Sequence, residues 1–164
     1  MNESEFLLSD LLTPAHVELN LRSSNRDDTL RELAARIVEI ADRPDLQQTL
    51  VRALQEREQL HSTGIGDGVA LPHARNALVG LVQKPVIVFG RHHEGIPFGA
   101  IDGKPTQLFF LLIAPTVTQH LSMLARISRL LRDPRLRRDL LAVETAEKAT
   151  ALIRAVETAM RSNG

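Results

Sequence analysis

The chain contains no cysteine, tryptophan or tyrosine, and its aromatic content comes down to five phenylalanines in 164 residues. The missing cysteines exclude disulfides, thiolate nucleophiles and zinc-thiolate sites together, and they fit a cytoplasmic protein. With so few rings to stack on bases, binding of single-stranded nucleic acid is disfavoured. Net charge is missing as well. Lys plus Arg equals Asp plus Glu at 20 each, so no global field draws in nucleic acid or an anionic membrane, and recognition must be local. No apolar run approaches the length that spans a bilayer. The first residues carry Glu3, Glu5 and Asp10 where a secretory signal needs a basic flank and an apolar centre.

What is present is an ordinary globular composition, 43% hydrophobic and 24% charged, enough to bury one sizeable core. One domain over residues 1–164 is therefore expected, with its core at about 10–160. Val17, Leu19 and Leu21 alternate with polar residues as in a strand with one wet face. Ser23 to Asn25 supply cap residues, and Leu30, Leu33, Ala34, Ile37 and Ile40 follow helical spacing, so a helix is expected to end near Asp42. A second helix at about Asp45 to Glu58 carries Arg57 in its last turn. Val86 to Phe89 and Leu108 to Ala114 read as buried strands, and Arg91 to Pro105, rich in Gly, Pro and His, as mostly loop. Thr118 is expected to cap a helix with His120 in its first turn, followed by a short helix around Arg135 to Leu141 and a last one capped near Thr145. Strands mixed with helices in one chain predict an α/β sandwich, three-layer-like, with a central sheet flanked by helices.

The chemistry concentrates in Glu56 to Arg75, EREQLHSTGIGDGVALPHAR. Pro72 fixes its own φ and biases Leu71 toward extended geometry, so His73 leaves a strand end in a constrained direction. A largely neutral imidazole at cellular pH is a nucleophile, and the candidate chemistry is transfer of an electrophilic group such as a phosphoryl group onto His73. Ahead of it, Gly64, Gly66 and Gly68 resemble a phosphate cradle, but the Gly-Lys-Ser/Thr ending of a nucleotide loop is missing and a strand follows instead of a helix. Their backbone amides are expected to form an anion nest. Arg57, Ser62, Thr63, the glycines and His120 complete the set that nucleophilic transfer needs. His92 and His93 point to opposite faces of a strand and chelate poorly together. No helix carries His-x-x-x-His, which leaves a metal hydrolase a poor second. The run Arg126, Arg129, Arg132, Arg135, Arg137 and Arg138 reads as a solvated face that could also dock an acidic protein.

Three ordered blocks, STGIGDGVALPHAR from Ser62, FGAIDGKPTQLFFLLIAP from Phe98 and the His120 to Leu131 segment, together with Arg57-Glu58, carry a specific resemblance. The chain is similar to the enzyme IIA domain of the phosphoenolpyruvate-dependent phosphotransferase system, in the fructose/mannitol superfamily, and most to its nitrogen-regulatory branch. The resemblance implies the mannitol/fructose enzyme IIA fold with a mixed central sheet. It implies a phosphotransferase without cofactor or metal, in which His73 accepts phosphate on Nε2 from a phosphohistidine of an HPr-like carrier. His120 and Arg57 would stabilise the phosphoryl group, with Ser62, Thr63 and Gly64 beside it. Partner proteins would be regulated by phosphorylation state, sensor kinases and potassium transporters being the kinds the resemblance suggests. Two alternatives stand beside this: a sugar-transport IIA component that charges a IIB domain, and a binding module that is never phosphorylated. His61 and Ala74 depart from the pattern where smaller or more flexible residues, commonly glycine, are expected.

Overall fold

The computed structural model describes residues 7–75 and 80–163. The sequence turns polar after His73 at Arg75-Asn76, and Asn76 lies outside the described residues. The elements in order are α1 (Leu8–Leu11), β1 (Val17–Glu18), α2 (Arg26–Ala34), α3 (Pro44–Leu60), β2 (Gly64–Gly66), β3 (Val69–Ala70), β4 (Val86–Ile96), β5 (Thr106–Ile113), α4 (Val117–Leu130), α5 (Pro134–Ala142) and α6 (Ala146–Asn163).

The strands form one mixed sheet in the order β1-β4-β5-β3-β2. β1 runs parallel to β4 and β3 parallel to β5, while β4–β5 and β2–β3 are antiparallel. The two apolar runs expected to be buried strands are the two central strands, covered on both faces as such continuous runs require. Alternation along β5 divides the core: Leu108, Phe110 and Leu112 pack with α1, α4, α5 and α6, and Phe109, Leu111 and Ile113 pack with α2 and α3. This is the expected α/β sandwich, helices on both sides of a mixed sheet.

Several boundaries moved, each for a physical reason. The first strand narrows to Val17–Glu18, the residues in register with Phe89 and Gly90 of β4; beyond it Leu19 and Leu21 are still buried, and the Leu21 amide still donates to the Arg91 carbonyl at 2.9 Å. Helix α2 stops at Ala34, and a 3-10 turn, Val38–Ile40, replaces its expected end. The tighter three-residue period puts Ile37 and Ile40 in the core and leaves Val38 outside, and the β-branched Ile37-Val38 pair favours helix poorly. Strand β4 runs on through His92 and His93 to Ile96, paired at Arg91↔Leu108 and Ile96↔Thr106. Arg91 is buried there, donating to the carbonyls of Leu19, Leu140, Leu141 and Val143. That long-range demand has no local sequence signal. Helix α4 is capped by Thr116, not Thr118: Thr116 Oγ1 accepts from the Gln119 amide at 3.2 Å and donates to its side chain at 3.0 Å, an N-cap threonine backed by the glutamine three residues on. Thr145 does cap the last helix, accepting from the Lys148 amide at 3.1 Å. Among the described residues no helix is long and apolar enough to cross a membrane.

Candidate functional site

The topology brings together two histidines that are remote in sequence. Beyond β3 the chain continues beside β5, with His73 opposite Leu112 and the Leu112 amide donating to the Pro72 carbonyl at 3.0 Å. β5 ends at Ile113, Pro115 follows, and Thr116 starts α4, so the first turn of α4 stands at the same end of the sheet. The rings of His73 and His120 lie 5.4 Å apart between centroids, tilted by 57°.

Local hydrogen bonding decides which nitrogen of His73 is reactive. Nδ1 lies 2.6 Å from the Leu71 carbonyl oxygen, and a carbonyl only accepts, so Nδ1 carries the proton and donates it. Nε2 then holds the lone pair. Burial pushes the His73 ring below the ordinary histidine value of 6.5; Arg57 and His120 push the same way, and the Leu71 carbonyl opposes them. Burial also lowers His120, which is only 7% exposed. At neutral pH the site holds two neutral rings, one with an acceptor nitrogen ready to bond.

The cation comes from the last turn of α3, where Nη1 of Arg57 donates to the His61 carbonyl at 2.6 Å. Arg57 is near enough to act on the His73 charge. The segment after it lies along β3, because the Leu71 amide donates to the Thr63 carbonyl at 3.0 Å. Ser62, Thr63 and Gly64 are therefore neighbours of the His73 strand. Their polar groups already have partners: Ser62 Oγ donates to the Phe98 carbonyl at 2.5 Å and accepts from the Gly64 amide at 3.0 Å. Thr63 gives both its amide, at 3.0 Å, and its hydroxyl to Glu58.

The glycine loop is a tight turn in which the Gly64 and Asp67 amides are already taken by side chains. Gly64–Ala70 is a β-hairpin whose turn bends through Gly66, Asp67 and Gly68, all at positive φ. Gly66, at φ 90°, occupies a conformation that a side chain disfavours. The Asp67 amide is taken by Asp102 at 3.0 Å. At Gly64 an added Cβ would stand 2.9 Å from that of Ala100, so this glycine serves close packing. His61 is exposed and extended, and Ala74 is buried at 6%; among the described residues only Asp67 has positive φ without being glycine, so neither departure needs a glycine's freedom.

Two residues at the site escaped the reading of the sequence. Glu58 was visible only as a neighbour of Arg57, yet its carboxylate is 3% exposed; the available signal was an acid continuing the buried stripe of Leu50 and Leu54 at i+4 spacing. Asp102, which with Gly103 is a turn signal within Arg91 to Pro105, also accepts from the Asp67 amide and so closes the hairpin turn. The other histidines stay apart: His92 Nδ1 accepts from the Gly95 amide, and His93 Nε2 meets the Asn20 side chain at 2.9 Å. The arginine run divides between structure and solvent. Arg126 pairs with Glu157 at 3.0 Å and Arg137 donates to the Leu131 carbonyl, while Arg129, Arg132, Arg135 and Arg138 are exposed.

Comparison with known proteins bears on the family and the fold. Residues 10–156 match the family model described as "Phosphoenolpyruvate-dependent sugar phosphotransferase system, EIIA 2". A nitrogen regulatory protein of Bradyrhizobium diazoefficiens is 34% identical over 142 residues, 85% of this chain and 90% of that protein. The fructose-specific EIIABC component of Bacillus subtilis is 32% identical over 148 residues, 89% of this chain but only 23% of that much longer protein. The crystal structure of nitrogen regulatory protein IIA-Ntr from Neisseria meningitidis superimposes with a TM-score of 0.78 at 30% identity, covering 89% of this chain and 98% of that one.

Proposed function

Since the chain belongs to the EIIA 2 family of the phosphoenolpyruvate-dependent sugar phosphotransferase system, and so is a phosphotransferase component of it, we propose that His73 is its phosphoryl acceptor, supplied by a phosphohistidine on an HPr-like carrier. The observation that carries this reading is the Nδ1–H bond from His73 to Leu71, which leaves Nε2 unprotonated beside His120 and Arg57.

In the transfer, the Nε2 lone pair forms the new N–P bond while the N–P bond of the carrier breaks. The electron pair of that bond returns to the carrier's ring nitrogen. The Nδ1 proton stays on His73 throughout, still held by Leu71. Positioning and charge neutralisation do most of the work in such a step. Arg57 and His120 supply them, and Ser62, Thr63 and Gly64 form the adjoining wall of the phosphoryl-binding site. Ser62 Oγ, which holds the Gly64 amide at 3.0 Å and donates to the Phe98 carbonyl at 2.5 Å, would have to leave that carbonyl to donate to a phosphoryl oxygen. No cofactor and no metal enters.

Residues from about 10 to 160 act as one domain in this reading, in the cytoplasm, where a carrier of this kind would meet it. The added phosphate makes a local patch strongly anionic on a chain without net charge, a switch that partner proteins can read. A regulatory role of the nitrogen branch is supported by relatives named nitrogen regulatory protein that match over most of their length. Partners of the sensor-kinase or potassium-transporter kind would be the readers. The fructose-specific relative supports a second reading, phosphate handed on to a IIB domain.

Intact mass after mixing with phosphorylated carrier tests the acceptor. One acid-labile phosphate, lost in His73→Ala, is expected; no mass gain with any carrier of the same cell would mean an unmodified binding module. Incubating the phosphorylated protein with IIB domains separates the two roles, charging of a IIB domain being the result that would move it to sugar transport.

A further inference from the structure

Glu58 is a buried acid that the transfer step leaves unused. Its carboxylate sits at 3% exposure in the last turn of α3, pushed up in pKa by burial against the opposing pull of Thr63, Arg26 and Arg57. Burying a carboxylate is costly unless its oxygens are bonded, and here both are bonded by one residue. Oε2 accepts from the Thr63 amide at 3.0 Å and Oε1 from the Thr63 hydroxyl. Thr63, itself 4% exposed, is thereby pinned in two places.

From Thr63 the hydrogen bonds run on without a gap. The Thr63 carbonyl accepts from the Leu71 amide at 3.0 Å, and the Leu71 carbonyl accepts from Nδ1 of His73 at 2.6 Å. The next residue, Pro72, has no amide to give, so the peptide that aims the Leu71 carbonyl is held by Thr63 before it and by Leu112 on the Pro72 carbonyl after it. We infer that Glu58 is a positioning residue for His73: it clamps Thr63, which sets Leu71, whose carbonyl selects the tautomer with a free Nε2. This deepens the reading of His73 as acceptor and rests on it.

The consequence is chemical. A neutral imidazole has two tautomers, and the one protonated at Nε2 has no lone pair to attack phosphorus. Loosening Thr63 releases Leu71, and the fraction of His73 that is competent falls. The other groups that act on the ring, Arg57 and His120, influence its charge but offer no carbonyl to choose between its nitrogens.

The test reads the tautomer directly. With ¹⁵N-labelled histidine, the imidazole nitrogen shifts of His73 report which nitrogen is protonated above its pKa, whether or not any phosphoryl transfer occurs. In the parent protein a single Nδ1–H form is expected. Glu58→Ala should mix the tautomers and slow acceptance from phosphorylated carrier by about 10- to 100-fold, the scale of a small misplacement at a reacting atom. Glu58→Gln, whose amide can still accept from the Thr63 N–H and donate to its hydroxyl, should restore the single form. A folded Glu58→Ala protein that keeps one Nδ1–H tautomer and the parent rate would overturn the inference. If Glu58→Ala does not fold, Thr63→Val decides: mixing supports the clamp, and an unchanged spectrum sinks it. If the spectra respond but the parent takes no phosphate, the positioning stands and the acceptor reading falls.

Discussion

The two ends of the short strand β3 form a contrast. At its start the glycine hairpin looks, as a string of residues, like a ligand cradle, yet the amides of Thr63, Gly64 and Asp67 are taken by Glu58, Ser62 and Asp102. Just past its end, His73 and His120 look like two ordinary histidines, yet they stand 5.4 Å apart with one Nε2 left over. A site is marked by the polar group that folding leaves unspent, and a scaffold by groups that folding has satisfied. The glycine-rich end is spent on the fold, while the histidine end keeps a free ring nitrogen.

The sharpest way to break that contrast is to remove the unspent nitrogen. His73→Ala should abolish phosphate acceptance in the mass assay while circular dichroism and melting remain those of a folded protein. Next, His120→Ala should leave an acceptor that works about 100-fold more slowly in rapid-mix transfer, the scale of losing one preorganised charge-stabilising group. Retained full rate would remove His120 from the site.

Acidification sharpens the comparison further, because burial lowers both rings of the histidine end. Protonation of His73 consumes the Nε2 lone pair, so acceptance should hold steady above 6.5 and fall about tenfold per pH unit below the depressed His73 value. Stability should follow the same direction. Both rings are depressed below 6.5 in the fold, so between those values and 6.5 the unfolded chain binds more protons, and stability drops as pH falls through that window. Replacing both histidines with glutamine should flatten the unfolding free energy across it, measured by urea titration.

At the hairpin turn itself, apart from the Glu58 clamp on Thr63, the expected effects are on stability. Gly66→Ala, at φ 90° with the Asp102 carboxylate 3.3 Å from the new methyl group, should cost about 1–2 kcal/mol in denaturant unfolding with little change in transfer. A collapse of transfer at unchanged stability would mean that the hairpin takes part in chemistry after all. Smallest of all, His93→Ala at the exposed contact with Asn20 should change stability by less than about 0.5 kcal/mol and leave transfer untouched.

The sequence was most legible where a residue's role is local. The apolar runs at Val86 and Leu108 announced the two central strands, and Thr145 announced the last cap. Pro72 marked His73 because proline constrains its neighbours without help from the rest of the chain. The misses involve partners far away in sequence. The length of β4 depends on β5 and on the carbonyls that receive Arg91; the hairpin's spent amides depend on Asp102 and Glu58. Thr116 was a local miss, since Thr-x-x-Gln was there to be read in place of Thr118.

By itself, then, the order of residues determined the α/β sandwich, the buried strands and the constrained exit of His73, because propensity, periodicity and proline geometry act over a few residues; the family was legible in the likeness of the ordered motif blocks. Which nitrogen of His73 is free, that His120 stands beside it, and that Glu58 is tied through Thr63 and Leu71 to its ring were decided only in three dimensions. Hydrogen bonds between strands and across helix ends join positions that no local pattern links, and burial alone sets how strongly each polar group needs its partner.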